Sequence, residues 1–294
     1  MSQKEFFEID VDGGKLAVAR WPGRGPKLLL VHGISASHMA WSQVVEALPA
    51  DAFDVYAPDL RGRGASNALP GPYGMARHVA DLCALIDGVG GGPVILAGHS
   101  MGAYIGVEFG ATRPAYLDRL VLVDGGIALP LPDGVTPEAS LERTLGPALA
   151  RLRREFASRE AYLAFWHEHP AFADAAAWNE HVEAYFAYDL EGEPPHLKSR
   201  AREAAVRADG LDLMRDEMVT MIDRVTPPML LLTAVRGLLD QPQPLMPVAA
   251  VKAKVEAIAQ LAWQEIPDTN HYSITLGNGA TATARAIAMF AGGA

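Results

Sequence analysis

An α/β fold, with a doubly wound and mostly parallel sheet flanked by helices, follows from three features of the 294-residue sequence. Continuous apolar runs recur between residues 27 and 126, and such runs suit strands buried on both faces of a sheet. Segments of helical periodicity separate them, and that alternation marks a parallel sheet. Strand patterns are missing between 127 and 225, where helical segments take over, and they return afterwards. The sequence therefore predicts one core, 1–126 with 226–294, interrupted by a helical insertion over 127–225.

Two alternating segments, FFEIDV and KLAVARW, open the chain, and Asp12-Gly13-Gly14 between them predicts a hairpin turn. PKLLLVHG reads as a buried strand stopping at His32-Gly33. MAWSQVVEALPA has helical spacing, and FDVYAPDLRGRGAS reads as a short strand and a glycine-rich loop. MARHVADLCALIDGVG is an amphipathic helix closed by glycines. GPVILAGHS is a second buried strand, MGAYIGVEFGATRP a helix ended by Pro114, and LDRLVLVDGG a further strand. Within the insertion, LERTLGPALARLRREFA, REAYLAFWHEHPAF, DAAAWNEHVEAYFAYDL and LKSRAREAAVRADGLDLMRDEMVTMID read as helices. PPMLLLTAV and AWQEIP return to strand, DQPQPLMP between them reads as loop, and GATATARAIAMFAGG closes the chain as helix.

Composition narrows the function classes. Half of the residues are hydrophobic and 20% are charged, which suits a globular protein with a sizeable core. The net charge of −10 is the wrong sign for gripping phosphates or an anionic membrane surface. A small-molecule substrate is expected, with neither a nucleic-acid nor a membrane partner; oligomeric state has no signal. The single cysteine, Cys83, rules out an intrachain disulfide and reads as a small buried apolar residue. The N-terminus is charged from Lys4 and lacks an apolar stretch, and no run of 18 apolar residues occurs, so a cytoplasmic location is expected.

Ligands of open α/β sheets bind beyond the carboxyl ends of the strands. His32-Gly33, Asp59, Ser100, Asp124, Asp240 and His271 all fall at or after such ends. Ser100 in AGHSMGA lies between Gly98 and Gly102, in a sharp strand-to-helix turn that leaves its hydroxyl exposed. The helix starting at Met101 aims N–H groups with partial positive charge at the same spot. Serine is a weak nucleophile and needs a base, itself oriented by a third group. The chain order serine, acid, histidine fits Ser100, Asp240 and His271.

On VHGISAS, DLRGRGAS, GHSMGA, the aspartate of GLLDQP and the histidine of TNHYSI, the sequence resembles the α/β-hydrolase fold superfamily over nearly its whole length. More narrowly, it resembles a serine hydrolase with a helical cap. The resemblance implies Ser100 as nucleophile, His271 as general base and Asp240 as the acid that orients it. It also implies an oxyanion hole from the backbone N–H groups of Ile34 and Met101. Asp124 stays open as the acid, because some members use the strand it ends. The implied activity is cofactor-free hydrolysis of a carboxylic ester of a small apolar or aromatic acid through an acyl-enzyme. Cleavage of a carbon–carbon bond, lactone, thioester or amide stays open, as does a ligand-binding receptor on the same scaffold. Relatives acting on epoxides or haloalkanes carry an aspartate where Ser100 stands.

Each assignment has a plainer competitor. Ser100 could be a helix N-cap. His32 is expected to brace the oxyanion loop, His99 to point away from Ser100, and Asp59 to pair with Arg61. His38, His78, His181 and His196 belong to no constellation. In WHEHP, His167 and His169 are two apart and face different directions on a helix, without the spacing of a zinc pair. No phosphate-loop lysine follows the glycines of GRGASN, and no GxGxxG opens a helix, so neither cofactor nor metal is expected. The aromatics of the insertion (Tyr162, Phe165, Trp166, Phe172, Trp178, Tyr185, Phe186 and Tyr188) are expected to pack, and some to line a pocket above Ser100.

Overall fold

The computed structural model describes residues 4–174 and 177–292. The extreme ends of the expected core, and Ala175 and Ala176 in an expected insertion helix, lie outside the described residues. Strands β1 (Glu5–Val11) and β2 (Gly14–Trp21) form the expected hairpin. β2 pairs antiparallel with β4 (Asp54–Pro58), and every later pairing in this sheet is parallel. β3 (Lys27–Val31) joins β4 to β5 (Val94–His99), followed by β6 (Leu117–Val123), β9 (Met229–Ala234) and β10 (Leu261–Ile266). The eight-stranded order is β1-β2-β4-β3-β5-β6-β9-β10.

Unbroken apolar strands hold both layers because neighbouring side chains leave opposite faces. Leu29, Val31, Leu96, Leu120, Leu122 and Leu231 face α2 (Met75–Gly88), α3 (Met101–Thr112) and α8 (Glu217–Met221). Leu28, Leu30, Ile95, Val121, Leu230 and Leu232 face α1 (Ser42–Ala47) and α10 (Ala280–Phe290). Each fully buried leucine contributes about 2 kcal/mol of hydrophobic stabilisation. Edge strand β10 is instead largely exposed between its buried ends.

Helices make up most of the stretch between β6 and β9. They are α4 (Pro137–Leu152), α5 (Arg159–His167), α6 (Glu180–Tyr188), α7 (Glu203–Asp212) and α8. Thr136, Ser158 and Asn179 start the first three by accepting N–H bonds in the first turn. Two details depart from the sequence reading. A short antiparallel ribbon, β7 (Leu190–Glu191) with β8 (Lys198–Ser199), spans the Pro194-Pro195 turn, where prolines deny a helix its donors. After the proline-rich loop comes α9 (Val248–Ala257), whose only fully buried residue is Val251, so its apolar pattern is faint.

The parallel register aligns the strand ends. Val31 lies opposite Gly98, His99 opposite Val123, Val123 opposite Leu232, and Ala234 opposite Ile266. The loops that follow therefore emerge side by side. Among the described residues, no helix is long and apolar enough to cross a membrane.

Candidate active site

Ser100 follows β5 directly, with φ 54 and ψ −120. A side chain held at positive φ stores on the order of 1–3 kcal/mol of strain. The Ser100 N–H donates to Val123 O at 2.9 Å, which anchors the turn to β6. Its side chain caps no helix N–H, so the N-cap alternative is not the one adopted. The flanking glycines are required by close backbone approach. A Cβ at Gly98 would lie 2.1 Å from Gly102 O, and one at Gly102 would lie 2.1 Å from Val31 O. The loop after β3 also comes close, since a Cβ at Gly33 would sit 3.2 Å from Ser100 Cβ. Among the described residues, neither the Ile34 nor the Met101 N–H has a backbone acceptor.

His271, on the loop after β10, is buried, and its Nδ1–H donates to Asp124 Oδ2 at 2.6 Å. Asp124 is fully buried, with φ 46, and accepts the Ala234 N–H on Oδ1 at 3.1 Å. This corrects the expected partnership of His271 with Asp240. Asp240 ends a turn on the surface, where its side chain is 38% exposed and accepts from Arg236 Nε at 2.6 Å. It meets the histidine loop directly at Asn270, whose Nδ2 donates to it at 3.0 Å. The Arg236 and Asn270 bonds outweigh the effect of its partial burial and hold its carboxyl below the usual range. Asp124 follows its strand without an intervening residue, and that proximity was the usable signal.

Ser100 and His271 share no hydrogen bond in this structure, and His271 Nε2 has no partner among the described residues. The link between their loops runs through His99. His99 packs near His271 with ring centroids 4.7 Å apart and planes tilted by 35°, and its Nε2–H donates to the His271 carbonyl at 2.8 Å. Burial, reinforced by the His271 ring, pushes the pKa of His99 well below the usual value, so it stays neutral. His32 ties the loop after β3 to the loop after β4. Its Nε2 accepts the Leu60 N–H at 2.9 Å, which leaves Nδ1–H to donate to Gly33 O at 2.8 Å. Burial lowers its pKa to about 3.

Asp59 and Arg61 do not pair with each other. Asp59 accepts from the His38 N–H and Nδ1, the Ala65 N–H and the Tyr188 hydroxyl, at 2.6–2.9 Å. Arg61 instead forks onto Asp81 at 2.7 and 2.9 Å. His38, placed in no constellation from sequence, thus belongs to a buried one that joins the loop after β4 to α6 of the insertion.

A cleft opens beside the loop after β3, between Ser35–Ser37, Tyr272 and the insertion residues Arg151, Trp166 and Tyr185. Trp166 stacks on Phe186 with centroids 4.1 Å apart. Arg151 donates to Asp189 at 2.7 Å and to the Tyr162 hydroxyl at 2.8 Å, with its guanidinium 5.1 Å from the Trp166 ring. Burial opposes its charge, but Tyr162 and Asp189 raise its pKa. His167 stacks on Trp178 at 3.6 Å, and no cluster of three metal-ligating side chains occurs among the described residues.

Comparison with known proteins gives this arrangement a context. The model of a family described as the alpha/beta hydrolase family matches residues 28–286. Lipase LipV of Mycobacterium tuberculosis is 36% identical over 115 residues, which are 39% of this chain and 43% of the lipase. N-formylmaleamate deformylase of Pseudomonas putida is 37% identical over 123 residues, 42% of this chain and 46% of the deformylase. The chain thus spans less than half the length of these curated relatives. Among solved structures, E-2-(acetamidomethylene)succinate hydrolase superposes with a TM-score of 0.82 at 22% identity, covering 99% of this chain and all of that one, a likeness of fold.

Proposed function

Because the chain belongs to the alpha/beta hydrolase family, we propose that it is a serine hydrolase whose triad is Ser100, His271 and Asp124. Ser100 Oγ attacks a substrate carbonyl carbon while His271 Nε2 takes the hydroxyl proton. Charge gathering on the carbonyl oxygen is met by the N–H groups of Ile34 and Met101 and by the positive end of α3. Asp124 holds the histidine tautomer and steadies the imidazolium. The intermediate collapses as His271 protonates the leaving group, and the acyl group remains on Ser100. Water then attacks that ester, His271 takes its proton and returns it to Ser100, and the acid departs. Side chains and backbone of the chain supply every group, so the reading calls for no cofactor. The Ser100–His271 hydrogen bond that this step needs tightens in the substrate complex.

The observation that carries this reading is the buried 2.6 Å His271–Asp124 bond on loops beside a strained serine whose side chain caps nothing. The insertion serves as a cap, and its aromatic lining suits a small substrate with an apolar or aromatic acyl part, bound as a carboxylic ester. The likeness to a deformylase favours a second reading, hydrolysis of an amide by the same groups. A fluorophosphonate should modify Ser100 in the folded protein, and Ser100→Ala should lower turnover of nitrophenyl esters or formanilides by at least about 10⁴-fold. Folded protein left unlabelled at Ser100 would refute the proposal, and the preferred amide or ester separates the two readings.

A further inference from the structure

Arg63, on the loop after β4, is fully buried and meets three parts of the molecule at once. Its Nε–H donates to Ile34 O at 2.8 Å, and its Nη1 donates to Arg61 O at 2.8 Å. The same Nη1 pairs with Asp209 Oδ2 at 2.5 Å. Asp209, fully buried on α7 of the insertion, also accepts the Gly74 N–H at 2.6 Å and faces His78 Nε2 at 3.0 Å. Arg63 Nη2 is buried without a partner among the described residues. The guanidinium is therefore not placed to satisfy itself; it is placed to bridge.

The insertion also holds Ile34 by its side chain. Ile34 packs against the cluster of Leu141, Leu149, Leu152, Ala201 and Val206. Gly210, next to Asp209, brings the α7 backbone against it. A Cβ there would meet Leu141 Cδ1 at 2.4 Å and Ile34 Cδ1 at 3.6 Å. With the side chain of Ile34 packed against α4 and α7 and its carbonyl held by Arg63, the N–H on the same Cα is left little freedom. A buried ion pair is a weak source of stability, because desolvation offsets its attraction, whereas it fixes geometry well.

Resting on the function proposed above, we infer that Asp209, acting through Arg63, is a positioning residue that aims the Ile34 N–H at the developing oxyanion. The seating of α7 then governs the strength of the oxyanion hole. The test is saturation kinetics of Ser100 phosphonylation by a fluorophosphonate, which builds negative charge in the same hole and needs no known substrate. Asp209→Asn should lower the maximal rate of modification about 10–100-fold while leaving the half-saturating probe concentration within about twofold. Arg63→Lys keeps a cation beside Asp209 but loses the forked reach to Ile34 O, so it should lose at least about tenfold. Ile287→Ala, on α10 across the sheet, serves as the control for general destabilisation and should stay within about threefold. A maximal rate in Arg63→Lys and in any folded Asp209→Asn no lower than in that control would overturn the inference. Should Asp209→Asn fail to fold, Arg63→Lys decides alone. Wild-type protein that resists the probe overturns the serine-hydrolase reading and this inference together. Labelled wild type with unaffected variants overturns only this inference.

Discussion

The loops that leave β6 and β9 each carry an aspartate, and the two carboxylates differ in what matters chemically. Both aspartates are at positive φ, 46 at Asp124 and 58 at Asp240, and their strands are paired in parallel. Asp124 is fully buried, with one oxygen on the Ala234 N–H and the other on His271. Asp240 is partly exposed and divides its bonds between Arg236 and Asn270. A carboxylate orients an imidazole when it is itself immobilised and shielded from water. Asp240 serves the same histidine at one remove, by tying down the Asn270 turn, whose Oδ1 accepts the Tyr272 and Ser273 N–H groups at 3.0 and 2.9 Å.

The sharpest way to break this comparison is to exchange the charges one at a time. Asp124→Asn should lower kcat on a nitrophenyl ester by about 10³–10⁴, as loss of the histidine tautomer does in other triads. Asp240→Asn should cost less than about tenfold. The reverse ranking would restore Asp240 as the acid.

A smaller effect comes from the buried histidines His32, just after β3, and His99, the last residue of β5. His32, with a pKa of about 3 in the fold against 6.5 for the free side chain, stays neutral where the unfolded chain binds a proton. Stability should therefore fall as pH drops from 6.5 toward 3, by up to about 1.4 kcal/mol per pH unit from this residue. His99, also lowered, adds in the same direction. Burial alone would raise Asp209, but Arg63 and His78 hold it at about 2, so its contribution is present above pH 4 and is lost only below that. Urea unfolding of His32→Gln at pH 7.5 and 5 should show a shallower pH slope than wild type; an equal slope would remove His32 from the account.

The smallest effect is expected at the exposed end of the comparison. Arg236→Gln breaks the 2.6 Å bond to Asp240 at a site where both side chains are more than a third exposed. Such pairs contribute about 0–1 kcal/mol, so the melting temperature should move by no more than a few degrees and kcat by less than twofold. A large loss of kcat would show that Asp240 has a direct part in the chemistry.

Much of this was legible in order along the chain. The apolar runs KLLLV, VILAGH and MLLLTA announced buried parallel strands, because strands covered on both faces need no polar alternation. Gly98 and Gly102 announced the turn at Ser100, because only glycine allows the backbone approaches found there. Helix α9 and the β7–β8 ribbon escaped notice because neither buries enough to leave a periodic trace. Asp59 and Arg61 misled because neighbours in sequence suggest a pair, whereas His38 and Asp81 hold them apart.

By itself the sequence determined the layered architecture, the strained serine and the histidine after the last strand, since these depend on local periodicity and backbone sterics. Which carboxylate faces His271, that His99 turns toward it, and that Arg63 and Asp209 clasp Ile34 were decided only by tertiary structure. Those contacts join residues more than a hundred positions apart or on separate elements. Hydrogen bonds are satisfied by whichever partner the packing brings within about 3 Å, and no pattern along the chain records that distance.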